Sequence, residues 1–218
     1  MFHNISNFIL MIVPLVFAVT VHEAAHGYMA FRMGDPTAMR AGRLTLNPIR
    51  HLDLFGSFLL PLLLKVSGSP FVFGYAKPVP VNFHNLRDFP RGVIYVAAAG
   101  VTVNLICAVL SGILYRIVIY FEWIWNSSVL GYLFIPLSVM LQYSVIINLV
   151  LMVFNLIPVP PLDGSRILAM LLPPNLRMRF QSIERYGMII IIILLMTNML
   201  GKVIAFFVSP LYGILIGH

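Results

Sequence analysis

The sequence predicts an all-α polytopic membrane protein with about four transmembrane helices, a short re-entrant or interfacial segment and small β-hairpins on the cytoplasmic side. Composition is the first reason: of 218 residues, 60% are hydrophobic and only 10% are charged, and the mean hydropathy is +0.96. A soluble domain has about 45–50% apolar and about 25% charged residues. The second reason is that four runs reach the roughly 20 mostly apolar residues that a helix needs to cross a bilayer. These runs cover residues 6–31, 93–120, 130–160 and 187–215.

A fifth apolar run, residues 54–64, is too short to cross the membrane as a helix. It contains Gly56 and Pro61, which disfavour regular helix. Apolar stretches of this length are typical of re-entrant or interfacial segments, and irregular backbone at membrane depth must be buried in protein or line a wet cavity. We therefore expect this run to enter the membrane and return.

The positive charges predict the orientation of the spans. Eight Lys and Arg residues lie in 32–92 and four lie in 162–186. Residues 1–7 and 121–129 contain none. If the 54–64 run does not cross, four spans place these cations on one side and both termini on the other. The positive-inside rule then assigns the charged loops of a multi-pass cell-membrane protein to the cytoplasm, so we expect lipid headgroups and no nucleic acid as their partners.

Two stretches of the first charged loop, residues 41–53 and 74–86, alternate apolar and polar residues between Gly and Pro punctuation. That pattern favours short strands or hairpins near the membrane surface. Pro78 and Pro80 restrict the second stretch to an edge strand, because proline has no N–H to donate. No internal repeat or linker composition divides the chain, so we predict a single membrane-embedded domain, residues 1–218.

The first span carries three titratable side chains in the stretch VTVHEAAHGYMA, residues 19–30. His22 and His26 are four residues apart, so both imidazoles project from one helix face, one turn apart. With Glu23 between them they form His-Glu-x-x-His on a helix, which binds zinc and presents the glutamate to the metal-bound water. A merely structural polar cluster is the alternative, but a charged Asp or Arg at bilayer depth costs about 2.5–3.5 kcal/mol even on a lenient scale. We therefore predict a metal site.

A catalytic zinc generally has three protein ligands and an open position, so a third ligand is needed. The acidic residues of the chain are Glu23, Asp35, Asp53, Asp88, Glu122, Asp163 and Glu184. Asp163 is the predicted ligand, because it lies in NLIPVPPLDGSR (155–166), where three prolines break the third span near its cytoplasmic end. An ordinary turn is the alternative reading of Leu-Asp-Gly alone. Other candidate ligands are His51, Asp53 and His84.

The depth of the two ligand sets agrees with this assignment. In the predicted topology the first span ends near Met33, so His22 and His26 lie about 10–16 Å from its inner end at 1.5 Å per residue. The third span also runs inward and breaks at its prolines. Both ligand sets therefore approach the inner half of the bilayer.

The assembled residues resemble the site-2 protease family of zinc intramembrane metalloproteases, and within it the small prokaryotic branch with little beyond the membrane core. HEAAH (22–26) matches the family's first zinc motif, and NLIPVPPLDG (155–164) matches its second, Asn-x-x-Pro-x-x-x-x-Asp-Gly. Three further stretches resemble the family: GRLTLNPIRHLDLFGS (42–57), FGYAKPVPVN (73–82) and AAAGVTVN (97–104). In the last of these, Val101 stands where proline is usual. The resemblance covers nearly the whole chain and leaves no room for a PDZ or CBS module.

This resemblance implies a metalloendopeptidase that cuts membrane-anchored proteins in or near a transmembrane segment. It implies one Zn²⁺ per chain, held by His22, His26 and Asp163, with Glu23 as the general base on the zinc-activated water. The active-site opening is then expected on the cytoplasmic side.

The resemblance also implies that Asn104 and Asn155 bind the unwound substrate backbone. Their alternative role is interhelical hydrogen bonding, worth about 0.6–2 kcal/mol in membranes. The 54–64 run and the strand-like stretches 41–50 and 74–83 could offer an edge with which an extended peptide pairs.

Two functions of other classes are compatible with a polar metal site in a membrane helix: a metal-ion transporter and a non-catalytic, protease-like scaffold. Transporters often show repeated halves, which this sequence lacks, and a glutamate between two histidines suits hydrolysis better than transport. Intact ligands and an intact base argue against the scaffold. The sequence therefore favours the intramembrane zinc protease.

Overall fold

The structure, a computed structural model, describes residues 2–53, 56, 59, 63, 66, 77–125 and 129–217. Within these ranges the regular elements are helical and no β-strand occurs. The helices are α1 Phe2–Arg32, α2 Thr37–Arg40, α3 Phe89–Tyr120, α4 Glu122–Trp125, α5 Gly131–Leu156, α6 Asp163–Leu171, α7 Pro174–Ser182, α8 Gly187–Met196 and α9 Met199–Ile216. The predicted all-α class is confirmed.

Among the described residues, four helices are long and apolar enough to cross a membrane: Phe8–Arg32 within α1, α3, α5 and α9. Many of their apolar side chains are exposed rather than packed inside the bundle. Along α3, about half of each side chain is exposed at Leu110, Ile113, Leu114 and Ile117. Apolar surface of this extent on helices of spanning length matches the lipid-facing surface of a membrane bundle. The protein is therefore a multi-pass membrane protein, as its composition predicts.

Helix α3 lies at the centre of the bundle and contacts α1, α5, α6 and α9. It packs against α5 and α9 through one buried apolar cluster, formed by Val101, Ala108, Val145, Leu149, Met152, Val153, Val208 and Ile216. Near its N-terminus it packs against α1 and α6 through a second cluster, formed by Ala30, Leu86, Val93, Val96, Ala169 and Met170. In a bilayer such packing stabilises through van der Waals contact rather than through removal of apolar surface from water. α3 thus forms the scaffold on which α1 and α6 meet.

Polar contacts fix how the ends of the helices align. Arg116, near the C-terminal end of α3, donates from Nε to the Leu215 carbonyl near the end of α9, at 2.9 Å. Ser111 of α3 and Ser144 of α5 share a hydrogen bond of 2.7 Å. The C-terminal ends of α3 and α9 therefore lie at the same face of the membrane, as a four-span topology requires.

Two predicted spans differ from the observed helices. The third, predicted over 130–160, ends at Leu156, because the prolines that follow cannot continue a helix. The fourth, predicted as one helix over 187–215, is interrupted, and this prediction was wrong. Asn198 takes the left-handed conformation with φ 54°, which asparagine tolerates better than most residues. At about 1.5 Å per residue, α8 is too short to cross, so α9 is the spanning segment.

The predicted hairpins are absent from the described residues of the first charged loop. Residues 41–53 contain a turn and the 3₁₀-helix Pro48–Arg50 instead of a strand. The physical reason is local: the Asn47 side chain accepts a hydrogen bond from the Ile49 N–H at 3.1 Å, which caps a helical turn.

Residues 74–76 of the second stretch lie outside the described residues, and the described part, from residue 77 on, begins extended but does not join a sheet. Residues 77–82 are followed by the 3₁₀-helix Phe83–Asn85, and the Lys77 N–H donates to the His51 carbonyl at 2.9 Å. The two prolines of this stretch remove donors that a ladder would need. The predicted re-entrant run, 54–64, lies outside the described residues except for residues 56, 59 and 63.

Candidate functional site

Three ligand atoms from distant parts of the sequence converge between α1 and the start of α6. His22 and His26 place their Nε2 atoms 3.0 Å apart. Asp163 Oδ2 lies 3.4 Å from His22 Nε2 and 3.2 Å from His26 Nε2. His22 and Asp163 are buried, and His26 is partly exposed. The structure therefore brings the His-Glu-x-x-His motif of α1 together with Asp163, which the sequence predicts as the third ligand.

The outer nitrogens of the two imidazoles determine what the inner nitrogens offer. His26 Nδ1 lies 2.7 Å from the Val96 carbonyl oxygen, which can only accept, so Nδ1 carries the hydrogen. His22 Nδ1 lies 3.3 Å from Asn104 Oδ1 and donates in the same way. In the neutral imidazoles both Nε2 atoms then present lone pairs toward Asp163. Metal-binding histidines are generally oriented by such a hydrogen bond from the other ring nitrogen.

The three converging atoms are all electron-pair donors. Asp163 Oδ2 is buried and has no hydrogen-bond donor among the described residues. Lone pairs at such short separations repel unless a proton or a metal cation lies between them. Two imidazoles and a carboxylate are a zinc donor set, and ligands about 2.0–2.1 Å from a tetrahedral zinc stand roughly 3.4 Å apart. The separations of 3.0–3.4 Å fit that ion.

Two glycines make this close approach possible. A Cβ at Gly100 of α3 would lie 2.5 Å from His26 Nε2 and 2.6 Å from His22 Cε1, so any side chain there would displace the imidazoles. A Cβ at Gly164 would lie 2.1 Å from the Leu156 carbonyl oxygen. Glycine at 164 therefore lets the start of α6 pack against the end of α5, which positions the neighbouring Asp163.

Glu23 is partly exposed and is held by a loop rather than by the ligand histidines. Its Oε2 accepts a hydrogen bond from the Val79 N–H at 2.8 Å. Val79 belongs to the extended residues 77–82, and its side chain is buried. A carboxylate anchored through one oxygen, beside a ligand histidine in sequence, is suited to accept a proton in a defined direction.

The predicted substrate-binding asparagines have different surroundings. Asn104 is fully buried on α3, where Oδ1 meets His22 and Nδ2 has no partner among the described residues. Asn155, near the end of α5, is partly exposed and donates from Nδ2 to the Leu151 carbonyl of its own helix at 3.0 Å. Asn104 thus orients the His22 imidazole, whereas Asn155 bonds within α5.

The other candidate ligands lie elsewhere. Within the described part of the chain, His51, Asp53 and His84 do not belong to the ligand group. His51 is buried and its Nε2 donates to the Thr45 carbonyl at 2.8 Å, which stabilises the first charged loop.

The sequence reasoning missed Asp35, which is fully buried after α1. Its carboxylate accepts hydrogen bonds from the Thr37 N–H at 3.1 Å, the Asn82 N–H at 2.7 Å and Asn85 Nδ2 at 2.8 Å, and another from the Thr37 hydroxyl. Burial alone would raise the pKa of Asp35, but these hydrogen bonds outweigh it and hold the pKa below its ordinary value. Asp35 therefore fixes the end of the extended stretch that reaches Glu23.

Arg43 was also missed, because a basic residue in a charged loop is normally solvated. Only 7% of Arg43 is exposed, and its guanidinium donates to the carbonyls of Lys77 at 2.7 Å and Pro78 at 3.3 Å. For Asp35 the local sequence contains an indication, since Asp-Pro favours a turn in which the aspartate accepts from the backbone N–H two residues later. For Arg43 no local pattern in the sequence indicates the contact.

Comparisons with known proteins point to one family. The model of peptidase family M50 matches residues 10–198. A relative in Bacillus subtilis (strain 168), named "Putative zinc metalloprotease YwhC", is 36% identical over 197 residues, which is 90% of this chain and 84% of the relative. A relative in Mycolicibacterium smegmatis, named "Putative zinc metalloprotease Rip2", is 28% identical over 91% of this chain and 71% of its own length. The protein of the same name in Mycobacterium tuberculosis (strain H37Rv) is 27% identical over 89% of this chain and 69% of its own length. No solved structure matches the chain.

Proposed function

The chain belongs to peptidase family M50, the site-2 protease family, and we propose that it is an intramembrane zinc metalloendopeptidase. It hydrolyses peptide bonds in or near the transmembrane segments of membrane-anchored proteins, as one membrane-embedded domain. The observation that carries this proposal is the convergence of His22, His26 and Asp163 around a point at which three lone pairs need a cation. The position of Glu23 next to this group adds the base that hydrolysis requires.

One zinc ion per chain is held by His22, His26 and Asp163. Zinc held there polarises the scissile carbonyl and lowers the pKa of a water molecule toward about 7. The carbonyl of Val96 and the amide of Asn104 keep the imidazole rings oriented, through hydrogen bonds from the two Nδ1 atoms. Loss of such orienting contacts typically weakens metal binding about 10–100-fold.

Glu23 is the general base in this proposal. It takes a proton from the attacking water and returns it to the leaving amine, which contributes about 10²–10⁴-fold to such reactions. The hydrogen bond from Val79 holds Oε2, so the direction of proton transfer is set before a substrate binds. The protein thereby contributes an oriented acceptor rather than a freely rotating side chain.

The substrate is reached from within the membrane and is extended before it is cut, because the peptide bonds of a helix are internally hydrogen-bonded. Asn155 is partly exposed near the break that leads to Asp163, so it is the better placed of the two asparagines to contact a substrate backbone. The stretch 77–82 is a poor pairing edge: Pro78 and Pro80 have no N–H, and the Val79 N–H is occupied by Glu23.

The charged loops and the active-site opening face the cytoplasm in this proposal. The positive-inside rule supports that orientation, since the cation-rich loops 33–88 and 157–198 lie on one side of the four spanning helices. Cysteine labelling of single-cysteine variants placed in these loops, in sealed vesicles of known orientation, tests it directly.

Zinc content and cleavage, measured on the same purified protein, test the function. We expect about one zinc per chain, cleavage of a model transmembrane substrate, loss of cleavage with a chelator and recovery on adding zinc. Glu23→Gln should keep zinc and lose cleavage. Zinc flux into vesicles without cleavage would support the transporter, and zinc binding with neither activity would support the scaffold.

A further inference from the structure

The extended stretch Lys77–Asn82, here called the strap, connects Glu23 to the first charged loop. Pro78 and Pro80 leave one edge of the strap without N–H donors at these positions. On the other edge the Val79 N–H is bound to Glu23 Oε2 and the Lys77 N–H to the His51 carbonyl, so these donors cannot pair with a further strand. A Cβ at Gly27 of α1 would lie 2.9 Å from Val79 Cγ1, which shows how closely the strap lies against the catalytic helix. Its position must therefore be set by contacts outside a β-ladder.

Arg43 provides that contact at the near end of the strap. Its guanidinium donates to the Lys77 and Pro78 carbonyls at 2.7 and 3.3 Å, immediately before Val79. The Lys77 N–H is held in turn by the His51 carbonyl at 2.9 Å. Both backbone groups of Lys77 are thus fixed by the loop. At the far end, Asp35 binds the Asn82 N–H.

The desolvation cost of burying Arg43 is poorly offset by the interactions that its guanidinium makes. No carboxylate forms an ion pair with Arg43 within the described residues, and its Nε is buried without a partner there. A buried charge that is only partly satisfied is a weak source of stability. What the guanidinium achieves is the fixed placement of two carbonyls, and through them of the Val79 N–H.

We propose that Arg43 is a positioning residue for Glu23, which acts through the Lys77–Val79 backbone of the strap. The inference rests on the proposed function, because it assigns the role of the strap in the same hydrolysis. Without Arg43 the Val79 N–H is displaced, and the Glu23 carboxylate loses the anchor that sets its direction. Misplacement of a reacting group by about 1 Å can cost 10²-fold in rate.

The first test compares Arg43→Met, Arg43→Lys and Arg40→Met for cleavage of a model transmembrane substrate. We expect Arg43→Met to lower kcat about 10–100-fold and to leave KM and zinc per chain within about twofold. Arg43→Lys should restore part of kcat, since an ammonium can still donate to the Lys77 carbonyl. Arg40 is exposed in the same loop, so Arg40→Met removes the same charge and should leave kcat unchanged. A parallel loss of zinc, or an equal loss in Arg40→Met, would overturn the proposal.

A double-mutant cycle between Arg43 and Glu23 distinguishes a positioning role of Arg43 from general stabilisation of the protein. In a Glu23→Asp background, whose carboxylate is drawn back from the Val79 N–H, Arg43→Met should cost less than threefold. Additive losses would show that Arg43 acts independently of Glu23. If Arg43→Met does not fold, Val79→Pro and Val79→Ala test the backbone donor through which Arg43 is proposed to act on Glu23. Both change the side chain but only the first removes the N–H, so kcat should be at least tenfold lower for Val79→Pro; equal rates would contradict the role of this donor.

The two proposals fail in different ways. A wild-type protein that binds zinc and cleaves no transmembrane substrate, under conditions in which the chelator control is informative, removes the proposed function. A wild-type protein that cleaves, with an Arg43→Met variant of unchanged kcat, removes only the role of Arg43.

Discussion

Two buried carboxylates of this protein face opposite kinds of neighbours. Asp163, at the start of α6, is 8% exposed and has two imidazole nitrogens within 3.4 Å of Oδ2. Asp35, after α1, is 0% exposed and accepts hydrogen bonds from two backbone N–H groups, a hydroxyl and an amide. Asp163 Oδ2 faces two imidazole nitrogens and has no hydrogen-bond partner among the described residues, whereas Asp35 is surrounded by donors.

The difference separates a binding site from a structural one. A carboxylate whose neighbours all donate is already satisfied, and it stabilises the backbone it holds. A carboxylate among lone pairs is unsatisfied until a cation arrives, so it costs stability in the apoprotein and gains it on metal binding. Burial alone does not distinguish the two residues, whereas the type of neighbouring atom does.

The largest expected effect is at Asp163. Asp163→Ala removes one of the three proposed zinc ligands, so zinc should fall from about one per chain to near zero and cleavage should disappear. While both imidazoles are neutral, the apoprotein should be no less stable than wild-type apoprotein, because the substitution removes an unsatisfied group. Zinc analysis, a cleavage assay and unfolding of both chelated proteins measure this.

A destabilised Asp163→Ala apoprotein would contradict the comparison, since it would mean that Asp163 has a satisfied structural partner. His51→Ala provides the control for loss of a buried polar residue outside the ligand group. It should retain zinc after chelation and reloading, because His51 contacts the loop and not the ligand atoms.

The next largest effect, on zinc affinity, is expected at Gly100, the glycine of α3 that lies against the two imidazoles. Gly100→Ala places a Cβ within 2.6 Å of both imidazoles, so the rings must rotate away from Asp163. We expect zinc affinity to fall about 10–100-fold, as for loss of other outer contacts of metal ligands. A competition titration with a zinc-sensitive dye measures it.

Gly92→Ala on the same helix is the matched control for Gly100→Ala. Its Cβ would meet Leu86 side-chain atoms at 3.1 Å, and a leucine side chain can shift. Zinc affinity should therefore stay within about twofold of wild type. Equal losses of zinc affinity in both variants would show that the packing of α3 in general determines the affinity, rather than the close contact of Gly100 with the imidazoles.

The sequence was most informative where chemistry is locally encoded. His22, Glu23 and His26 share one helix, so their spacing alone indicates a common role. Asp163 could be connected to them only by topology and by the proline break, which place two spans at the same depth. The all-α class and the spanning helices follow from composition and from the length of the apolar runs. A segment that crosses lipid must be apolar and must satisfy its own backbone hydrogen bonds, as a helix does.

The sequence was least informative where distant backbone groups meet. The contacts of Asp35 with Asn82 and of Arg43 with Lys77 join positions more than 30 residues apart, with no periodic pattern to reveal them. The alternation in the first charged loop suggested hairpins, but the prolines and the Asn47 cap decide the local backbone. Asn198 interrupts an apolar run that composition reads as one span.

A smaller effect, on stability, is expected at Asp35. Asp35→Asn replaces one acceptor oxygen by a donor that faces other donors, so we expect a loss of about 2–3 kcal/mol near pH 7 with zinc content unchanged. The pKa of Asp35 is held below its ordinary value, so its contribution is complete above the unfolded value of about 3.9 and is lost as the pH falls through the folded pKa. The difference between wild type and variant should therefore shrink as the pH drops below about 4. A difference that stays constant with pH would contradict the role of the carboxylate charge.

The smallest effect, on the free energy of unfolding, is expected when one of the hydrogen-bond donors to Asp35 is removed. Thr37 gives Asp35 both its N–H and its hydroxyl, and Thr37→Val removes only the hydroxyl while nearly conserving shape. One lost hydrogen bond to a buried carboxylate should cost about 1–2 kcal/mol in the free energy of unfolding. Thr45→Val is the control, because the Thr45 hydroxyl accepts a hydrogen bond at an exposed position and its loss should stay within about 0.5 kcal/mol. Equal losses at the two threonines would mean that the hydroxyl adds nothing specific, and the structural role of Asp35 would then depend on its backbone and amide donors alone.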